Sequence, residues 1–168
     1  MKKMTRSDFY LLCALVMMLV LFISSSMTYQ QQTSVPLLER ILRHRPALAY
    51  LKHFTLTYAG NVISVEKVGY YKFIEFFIRK LAHFTTYFLL GSFLYLAVKN
   101  KLSAWVAIML AVLAALGYAA SDEFHQMLTG GRTPLFQDVM LDGMGALTGV
   151  LLCYLVSFFH SFIQKKQN

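Results

Sequence analysis

The sequence predicts an all-α integral membrane protein, a four-helix bundle with one longer extracytoplasmic segment between the first and second helices. Three observations support this fold class. Four apolar runs each reach the roughly 20 residues that a helix needs to cross a bilayer. Only 14% of the residues are charged, whereas soluble domains carry about 25%. The net charge of +8 comes largely from basic residues that flank the apolar runs, where lipid headgroups lie.

The four predicted helices cover about residues 9–27, 73–98, 102–120 and 139–163. The chain of 168 residues is short enough to form a single domain over residues 1–168. The first apolar run follows Met-Lys-Lys, as in a signal peptide, but it exceeds the usual apolar length of one. We therefore expect it to remain as a membrane helix.

Basic residues at the helix ends predict the topology. They precede the first helix, form the short connection between the second and third, and follow the fourth. In a four-span protein these three groups share one side, and the positive-inside rule assigns that side to the cytoplasm. We therefore expect both termini to be cytoplasmic, although the segment after the first helix also contains basic residues. The three groups are Lys2, Lys3 and Arg6; Lys99 and Lys101; and Lys165 and Lys166.

The predicted extracytoplasmic segment, from residue 28 to about 72, carries two local signals. Pro36, shortly after Ser34, predicts the start of a short amphipathic helix that lies on the outer membrane surface. β-branched residues between positions 54 and 65 flank a Gly60-Asn61 pair, which is typical of a small hairpin.

A helix rises about 1.5 Å per residue, so about 20 residues cross the hydrocarbon. Counted in this way from the cytoplasmic ends of the second, third and fourth helices, polar residues from three separate stretches lie at or just beneath the outer interface. Ionisable groups at such depth are costly unless they pair or line a polar cavity, so they mark a candidate site. The residues are Lys80, His83, Asp122, Glu123, His125, Gln126, Arg132, Asp138 and Asp142.

Helical spacing refines this site. Lys80 and His83 lie three residues apart, so they share one helix face. Asp138 and Asp142 lie one turn apart, and their stripe continues through a Gly-x-x-x-Gly pair at positions 145 and 149. Such glycines allow close helix packing, so we expect the aspartate face to point into the bundle.

The residue types suggest two kinds of role. Glu123, His125 and Asp138 are candidate catalytic residues, because imidazoles and desolvated carboxylates can titrate near neutral pH. The others are candidates for binding an anionic substrate: Lys80, His83, Asp122, Gln126, Arg132 and Asp142. Purely structural roles, as interface anchors, a polar loop or internal ion pairs, remain open alternatives.

Cofactors and nucleic acid are not expected. A mixed nitrogen and oxygen set could hold a divalent ion such as zinc, but the sequence lacks a strong metal spacing such as His-Glu-x-x-His. The basic residues do not interleave with base-stacking aromatics, so a nucleic-acid partner is not predicted. The expected partners are membrane lipids or a lipid-linked precursor of the cell envelope.

Several separated motifs, in order, resemble those of the VanZ-like family over about residues 8–163. The family's namesake is associated with low-level resistance to the glycopeptide teicoplanin. The resemblance implies a multi-pass protein of the bacterial cell membrane with a role in the cell envelope. The motifs are Arg79-Lys80-Leu81-Ala82-His83-Phe84, Ser121-Asp122-Glu123-Phe124-His125-Gln126, Gly131-Arg132, Asp138-Val139, Asp142-Gly143 and Gly145.

Three functions remain open from the sequence. The first is an antibiotic-resistance protein that binds or modifies an envelope lipid or lipid-linked precursor, or reduces glycopeptide access, without classical turnover. The second is a membrane enzyme that performs acid-base hydrolysis or transfer on a lipid-linked anionic substrate. The third is a small transporter, which the absence of ionisable residues at mid-depth in the first and third helices disfavours. The sequence does not decide whether the protein is an enzyme, nor its oligomeric state.

Overall fold

A computed structural model describes residues 3–130 and 134–167. Four of its helices are long and apolar enough to cross a membrane, which confirms the predicted fold class of a helical, multi-pass membrane protein. The elements are, in chain order, α1 (Arg6–Ser25), α2 (Tyr29–Gln32), α3 (Val35–Ile41), α4 (Leu48–Leu51), β1 (Thr55–Tyr58), β2 (Asn61–Ser64), α5 (Val65–Val68), α6 (Tyr70–Val98), α7 (Ala104–Gly130) and α8 (Phe136–Gln167).

Polar contacts define the two ends of the bundle formed by α1, α6, α7 and α8. At one end the Ser7 hydroxyl donates to the carbonyl of Ala97 at 2.7 Å, and the Lys99 ammonium donates to the Ser157 hydroxyl at 2.8 Å. We call this the Lys99 end. At the other, the Lys80 end, the Ser25 hydroxyl donates to the Asp122 carboxylate.

The third membrane helix is longer than predicted. The polar residues after position 120 suggested a helix end, but α7 continues to Gly130. Its polar residues bond along the helix and to α1 instead of to water: Gln126 Nε2 donates to Asp122 Oδ2 at 3.1 Å, and Thr129 Oγ1 donates to the Ser25 carbonyl at 2.8 Å. Satisfied in this way, they do not interrupt the helix.

The other helix boundaries differ by smaller amounts. α1 begins at Arg6 instead of near residue 9 because Thr5 and Asp8 form a capping box before it. α6 begins at Tyr70 and α8 at Phe136, each three residues earlier than predicted. α8 continues to Gln167, beyond the apolar run on which the prediction was based.

Close packing of α6 against α8 is confirmed at the predicted glycines. A Cβ on Gly145 would overlap the carbonyl of Phe84, and one on Gly149 would overlap that of Phe88. On the opposite helix, Gly91 packs against the backbone of Ala146. These small residues let the two backbones approach, and the approach brings the polar residues of both helices together at the Lys80 end.

Small and aromatic side chains fill the centre of the bundle. Tyr87 and Leu90 of α6 are fully buried beside an alanine stripe on α7, while most leucines, valines and phenylalanines of the four helices face outward. Outward apolar side chains are expected where the surrounding solvent is hydrocarbon. The stripe consists of Ala107, Ala111, Ala115 and Ala119.

The segment between α1 and α6 forms a small cap on the Lys80 end. The predicted hairpin is confirmed, with Thr55 paired to Ser64 and Tyr58 paired to Asn61. Its turn is Ala59-Gly60, one residue earlier than predicted, and both residues have positive φ, as a two-residue turn requires. The predicted amphipathic helix is α3, which buries Leu38.

Candidate functional site

An ion pair between α6 and α8 lies at the centre of the Lys80 end. Lys80 Nζ is 2.5 Å from Asp138 Oδ1, and the two side chains are 23% and 21% exposed. The Tyr58 hydroxyl of the hairpin donates to the same carboxylate oxygen. The ammonium also lies over the rings of Tyr58 and Phe76, at 4.7 and 5.5 Å from their centroids. The hairpin therefore shields this pair from water and strengthens the attraction between its charges.

A second contact between α6 and α8 lies one turn deeper. His83 Nδ1 is 3.4 Å from Asp142 Oδ2, and the imidazole is more exposed than the carboxylate. Asp142 Oδ1 is buried without a hydrogen-bond partner among the described residues, as is the hydroxyl of Tyr87. Buried polar atoms are nearly always paired, so these two atoms are exceptions, and the free carboxylate oxygen can still accept a hydrogen bond or a proton.

Glu123 joins α7 to the start of α8. Its Oε1 accepts from the backbone N–H of Leu135 at 2.7 Å, just before α8 begins. Asp138, Lys80 and His83 all lie close enough to interact with its charge. Glu123 therefore belongs to the same cluster, but one of its oxygens already satisfies a helix N-terminus.

Asp122 and Gln126 lie on another side of α7, against α1. Both are buried. Asp122 accepts from Ser25 on one oxygen and from Gln126 on the other. Every oxygen of this carboxylate is thus engaged within the bundle, which supports a role in fixing α1 to α7.

His125 lies apart from the two α6–α8 pairs. Its ring stacks on Phe22 with centroids 4.6 Å apart, and its Nε2 is 3.0 Å from the Ser26 hydroxyl. It borders a separate groove of about 300 Å³ on the α1–α7 side. The helical spacing that joins Asp122 and Gln126 does not bring this imidazole to Lys80 or Asp138.

Arg79 contributes a cation that was not among the predicted site residues. Its Nη2 donates to Gln32 Oε1 at 3.0 Å, and its guanidinium lies over the Tyr29 ring at 5.1 Å from the centroid. Its Nη1 is buried without a hydrogen-bond partner among the described residues. An unsatisfied guanidinium nitrogen is a ready donor for an anion.

Two clefts meet at Arg79. The larger, about 290 Å³, runs between α1 and α6, and the smaller, about 230 Å³, lies beneath the cap. We call the larger one the Arg79 cleft. Its floor is apolar and its upper wall is polar, a combination typical of ligand-binding clefts. It is lined by Val20, Leu21, Ser24, Gln32, Arg79, Ala82, His83 and Thr86.

Glu75 anchors the cap to α6. It is only 1% exposed. It accepts from the backbone N–H of Ser34 at 2.6 Å, from the Thr33 hydroxyl at 2.9 Å and from the Tyr29 hydroxyl at 3.1 Å. Hydrogen bonds to a charged group are stronger than neutral ones, so this carboxylate holds the chain that follows α1 beside the Arg79 cleft.

Sequence reasoning missed Tyr58, Glu75 and Arg79 as members of the site. Two signals were available: Arg79 begins the motif that also contains Lys80 and His83, and Glu75 lies four residues before Arg79, on the same face of an apolar helix. Tyr58 gave no signal, because only the position of the folded hairpin brings it to Asp138. Burial and the hydrogen bond to Asp138 raise the pKa of Tyr58 well above its ordinary value, so its hydroxyl stays protonated as a donor.

The other predicted features lie outside these contacts or outside the described residues. Arg132, with the Gly131-Arg132 turn, falls outside the described residues. Among residues 3–130 and 134–167, no three His, Cys, Asp or Glu side chains converge as metal ligands. The assignment of the remaining residues to catalysis or substrate binding stays a prediction.

Comparison with known proteins supports the resemblance noted in the sequence. The model of the VanZ/LLP1 family matches residues 9–157, which is nearly the whole chain. No curated protein and no solved structure gives a match. The matched range includes α6 and α7 and most of α1 and α8, with all the paired residues of the Lys80 end. The chain therefore belongs to the VanZ/LLP1 family.

Proposed function

We propose that this protein binds the anionic headgroup of a cell-envelope lipid or lipid-linked precursor at the outer face of the bacterial cell membrane, and that binding lowers susceptibility to glycopeptides such as teicoplanin. The observation that carries this proposal is the Arg79 cleft. It combines a guanidinium with an unpaired buried nitrogen, an imidazole and an apolar floor. In this proposal the Lys80 end faces outward and both termini are cytoplasmic, as the basic residues favour.

The chemistry of the cleft favours a phosphate-bearing ligand. Arg79 presents fixed donors that suit phosphate oxygens, and His83 adds a further donor on the same wall. Three nearby acids have partners: Glu75 is bound by the cap, Asp138 by Lys80 and Tyr58, and one oxygen of Asp142 by His83. Their engagement reduces the repulsion that an incoming anion would meet.

The apolar part of the cleft favours a lipid over a soluble anion. Val20 and Ala82 are exposed on the outer surfaces of α1 and α6, where hydrocarbon is the expected neighbour. A headgroup held at Arg79 could therefore leave its acyl chain in the membrane, with no need for the lipid to be extracted.

A membrane enzyme is the second candidate, and the His83–Asp142 contact favours it. A carboxylate beside an imidazole orients the ring and stabilises its protonated form. In hydrolysis of a phosphate ester, His83 would accept a proton from water while the water oxygen bonds to phosphorus. The phosphorus–oxygen bond to the leaving group then breaks, and that oxygen takes a proton from His83. Glu123 and His125 suit this role less, since one bonds the α8 N-terminus and the other faces α1.

Transport receives the least support. Alanines pack α7 tightly against its neighbours at mid-depth, and α1 offers no charged residue between Asp8 and Ser25. A carrier needs a polar route between the two faces.

Matched variants test the binding proposal. Wild type, Arg79→Gln, His83→Gln and the control Arg43→Gln are produced at equal membrane levels in a strain without other glycopeptide resistance. Arg43 is exposed in the cap and does not line the cleft. We expect the first two variants to lose teicoplanin protection and the control to keep it. Full protection in Arg79→Gln would refute the assignment.

Mass spectrometry of extracted envelope lipids separates the two candidates. A lipid species that disappears in His83→Gln but persists in Arg43→Gln would indicate turnover. Identical lipid profiles together with lost protection would indicate binding alone. A reporter at the Lys99–Lys101 connection tests the orientation, and an external signal there would contradict it.

A further inference from the structure

Another cleft lies at the Lys99 end, remote from the Arg79 cleft. Its volume is about 510 Å³. It is formed where the start of α1, the end of α6 and the last third of α8 meet. We call it the Lys99 cleft, and its lining consists of Arg6, Tyr95, Lys99, Asn100, Tyr154, Val156, Ser157, Phe158, His160 and Ser161.

The polar lining of the Lys99 cleft is cationic and rich in donors. Arg6 comes from the start of α1, Lys99 from the end of α6 and His160 from the last third of α8, and Ser161 adds a hydroxyl. Among the described residues, none with an acidic side chain belongs to this lining. Asp8, which lies near this end of the bundle, accepts from Thr5 and lies near Lys101 instead. No described residue of the cleft therefore neutralises its cations.

Lys99 is held in place within the cleft. Its ammonium donates to Ser157 Oγ at 2.8 Å, and that hydroxyl donates to the carbonyl of Cys153 at 2.7 Å. The hydrogen bond from Ser7 to Ala97 fixes the start of α1 against the end of α6, so Arg6 and Lys99 line the same cleft. An anion bound in the cleft would interact favourably with both positive charges.

The cleft also has an apolar wall. Val156 and Phe158 line it and are 62% and 52% exposed on the outer surface of α8. A ligand with a phosphate beside Arg6 and Lys99 could lay its acyl chains along these side chains. A choline or ethanolamine headgroup would bring its ammonium towards uncompensated cations, whereas a glycerol headgroup would bring hydroxyls towards Asn100 and Ser161.

We propose that the Lys99 cleft is a binding site for the phosphate group of an anionic phospholipid, on the membrane face opposite the Arg79 cleft. The general attraction between basic residues and anionic membranes acts on every exposed lysine at this end. The proposal is more specific, because it assigns the lipid to the cations that line the cleft and not to their neighbours.

Lys101 provides the matched control. It lies two residues from Lys99 in the same connection and carries the same charge, but it does not line the cleft. Purified full-length protein in detergent is titrated with short-chain phosphatidylglycerol, and bound lipid is counted by native mass spectrometry. Lys99→Gln and Arg6→Gln should each weaken binding by about fivefold, the loss expected for one basic residue. Lys101→Gln should change it by less than about twofold, and Lys99→Arg should retain it.

Three further arms complete the test. Phosphatidylcholine should bind more weakly than phosphatidylglycerol, and equal binding would overturn the proposal. Equal losses in Lys101→Gln and Lys99→Gln would also overturn it, since they would indicate general surface attraction. Displacement of the lipid by soluble glycerol phosphate at similar concentration would overturn the assignment to a lipid. Arg79→Gln removes the arginine from the other cleft. In this background Lys99→Gln and Arg6→Gln should weaken lipid binding as much as they do in the wild type.

Discussion

Gly149→Ala is expected to separate α6 from α8 and loosen the site between them. The added Cβ would stand 2.6 Å from Ser92 Oγ and closer still to the Phe88 carbonyl. The Ser92 hydroxyl can rotate, but the carbonyl belongs to the α6 backbone and cannot move without shifting the helix. Overpacking of this kind costs about 1–3 kcal/mol. The better helix propensity of alanine returns about 1 kcal/mol, so the net effect is destabilising or close to neutral.

Gly117→Ala is the matched control, because a Cβ at Gly117 meets no atom within 4 Å. This variant should benefit only from the better helix propensity of alanine, which stabilises the protein by up to about 1 kcal/mol. The free energies of unfolding of the two variants should therefore differ by the cost of overpacking at Gly149, about 1–3 kcal/mol. That difference corresponds to roughly 2–12 °C in melting temperature for a chain of this size.

Thermal unfolding in detergent measures this difference, with a thiol-reactive dye reporting exposure of the half-buried Cys13 and Cys153. Gly149→Ala should melt below Gly117→Ala and should lose more teicoplanin protection. Equal melting temperatures for the two variants would refute the argument that contact at Gly149 sets the distance between α6 and α8.

Three other variants test the remaining contacts. Glu75→Gln should destabilise the attachment of the cap by about 2–3 kcal/mol, because hydrogen bonds to a charged group contribute about this much. Limited proteolysis between residues 26 and 69 should become faster in this variant, whereas the control Glu66→Gln, at an exposed position, should leave it unchanged. Tyr58→Phe should lower stability by about 1 kcal/mol through loss of one hydrogen bond. Folding raises the pKa of Tyr58, so the extra stability of wild type over Tyr58→Phe should be complete below the ordinary phenol pKa of about 10. This difference in the free energy of unfolding should decrease at more alkaline pH, and an increase there would contradict the reasoning. Ser25→Ala removes one donor to buried Asp122 and should cost about 1–3 kcal/mol. Ser26→Ala should cost less, because the contact between its hydroxyl and His125 is exposed to solvent.

Regular periodicity explains which parts of the fold were predictable. Membrane helices are recognisable from their apolar length, and the stripe with Gly145 and Gly149 predicted that the aspartate face packs inside the bundle. Helical spacing also placed Lys80 with His83, and Asp138 with Asp142, on one face of their own helices. The sequence did not identify α6 as the helix packed on this stripe, and the pairs Lys80–Asp138 and His83–Asp142 are seen only in the structure.

The rest depended on contacts between distant parts of the chain. The polar residues after position 120 were read as a helix end because their partners on α1, such as Ser25, are nearly a hundred positions away in the sequence. The donors to Glu75 lie in the cap, in turns whose position no periodic pattern fixes. His125 was grouped with the site because it lies close to Asp122 and Glu123 in the sequence. On the helix its side chain points in another direction and stacks on Phe22 of α1.

The polar anchors of α1 have a consequence for biogenesis. Ser7 and Ser25 bond to partners 90 and 97 residues later in the chain, and the Met18 carbonyl accepts from a tyrosine 100 residues later. Since α1 precedes α6 and α7 in the chain, it is synthesised before any of these partners exists. Its full set of hydrogen bonds can form only once α7 has been inserted, so α1 completes its packing after the later helices α6 and α7 have entered the bilayer.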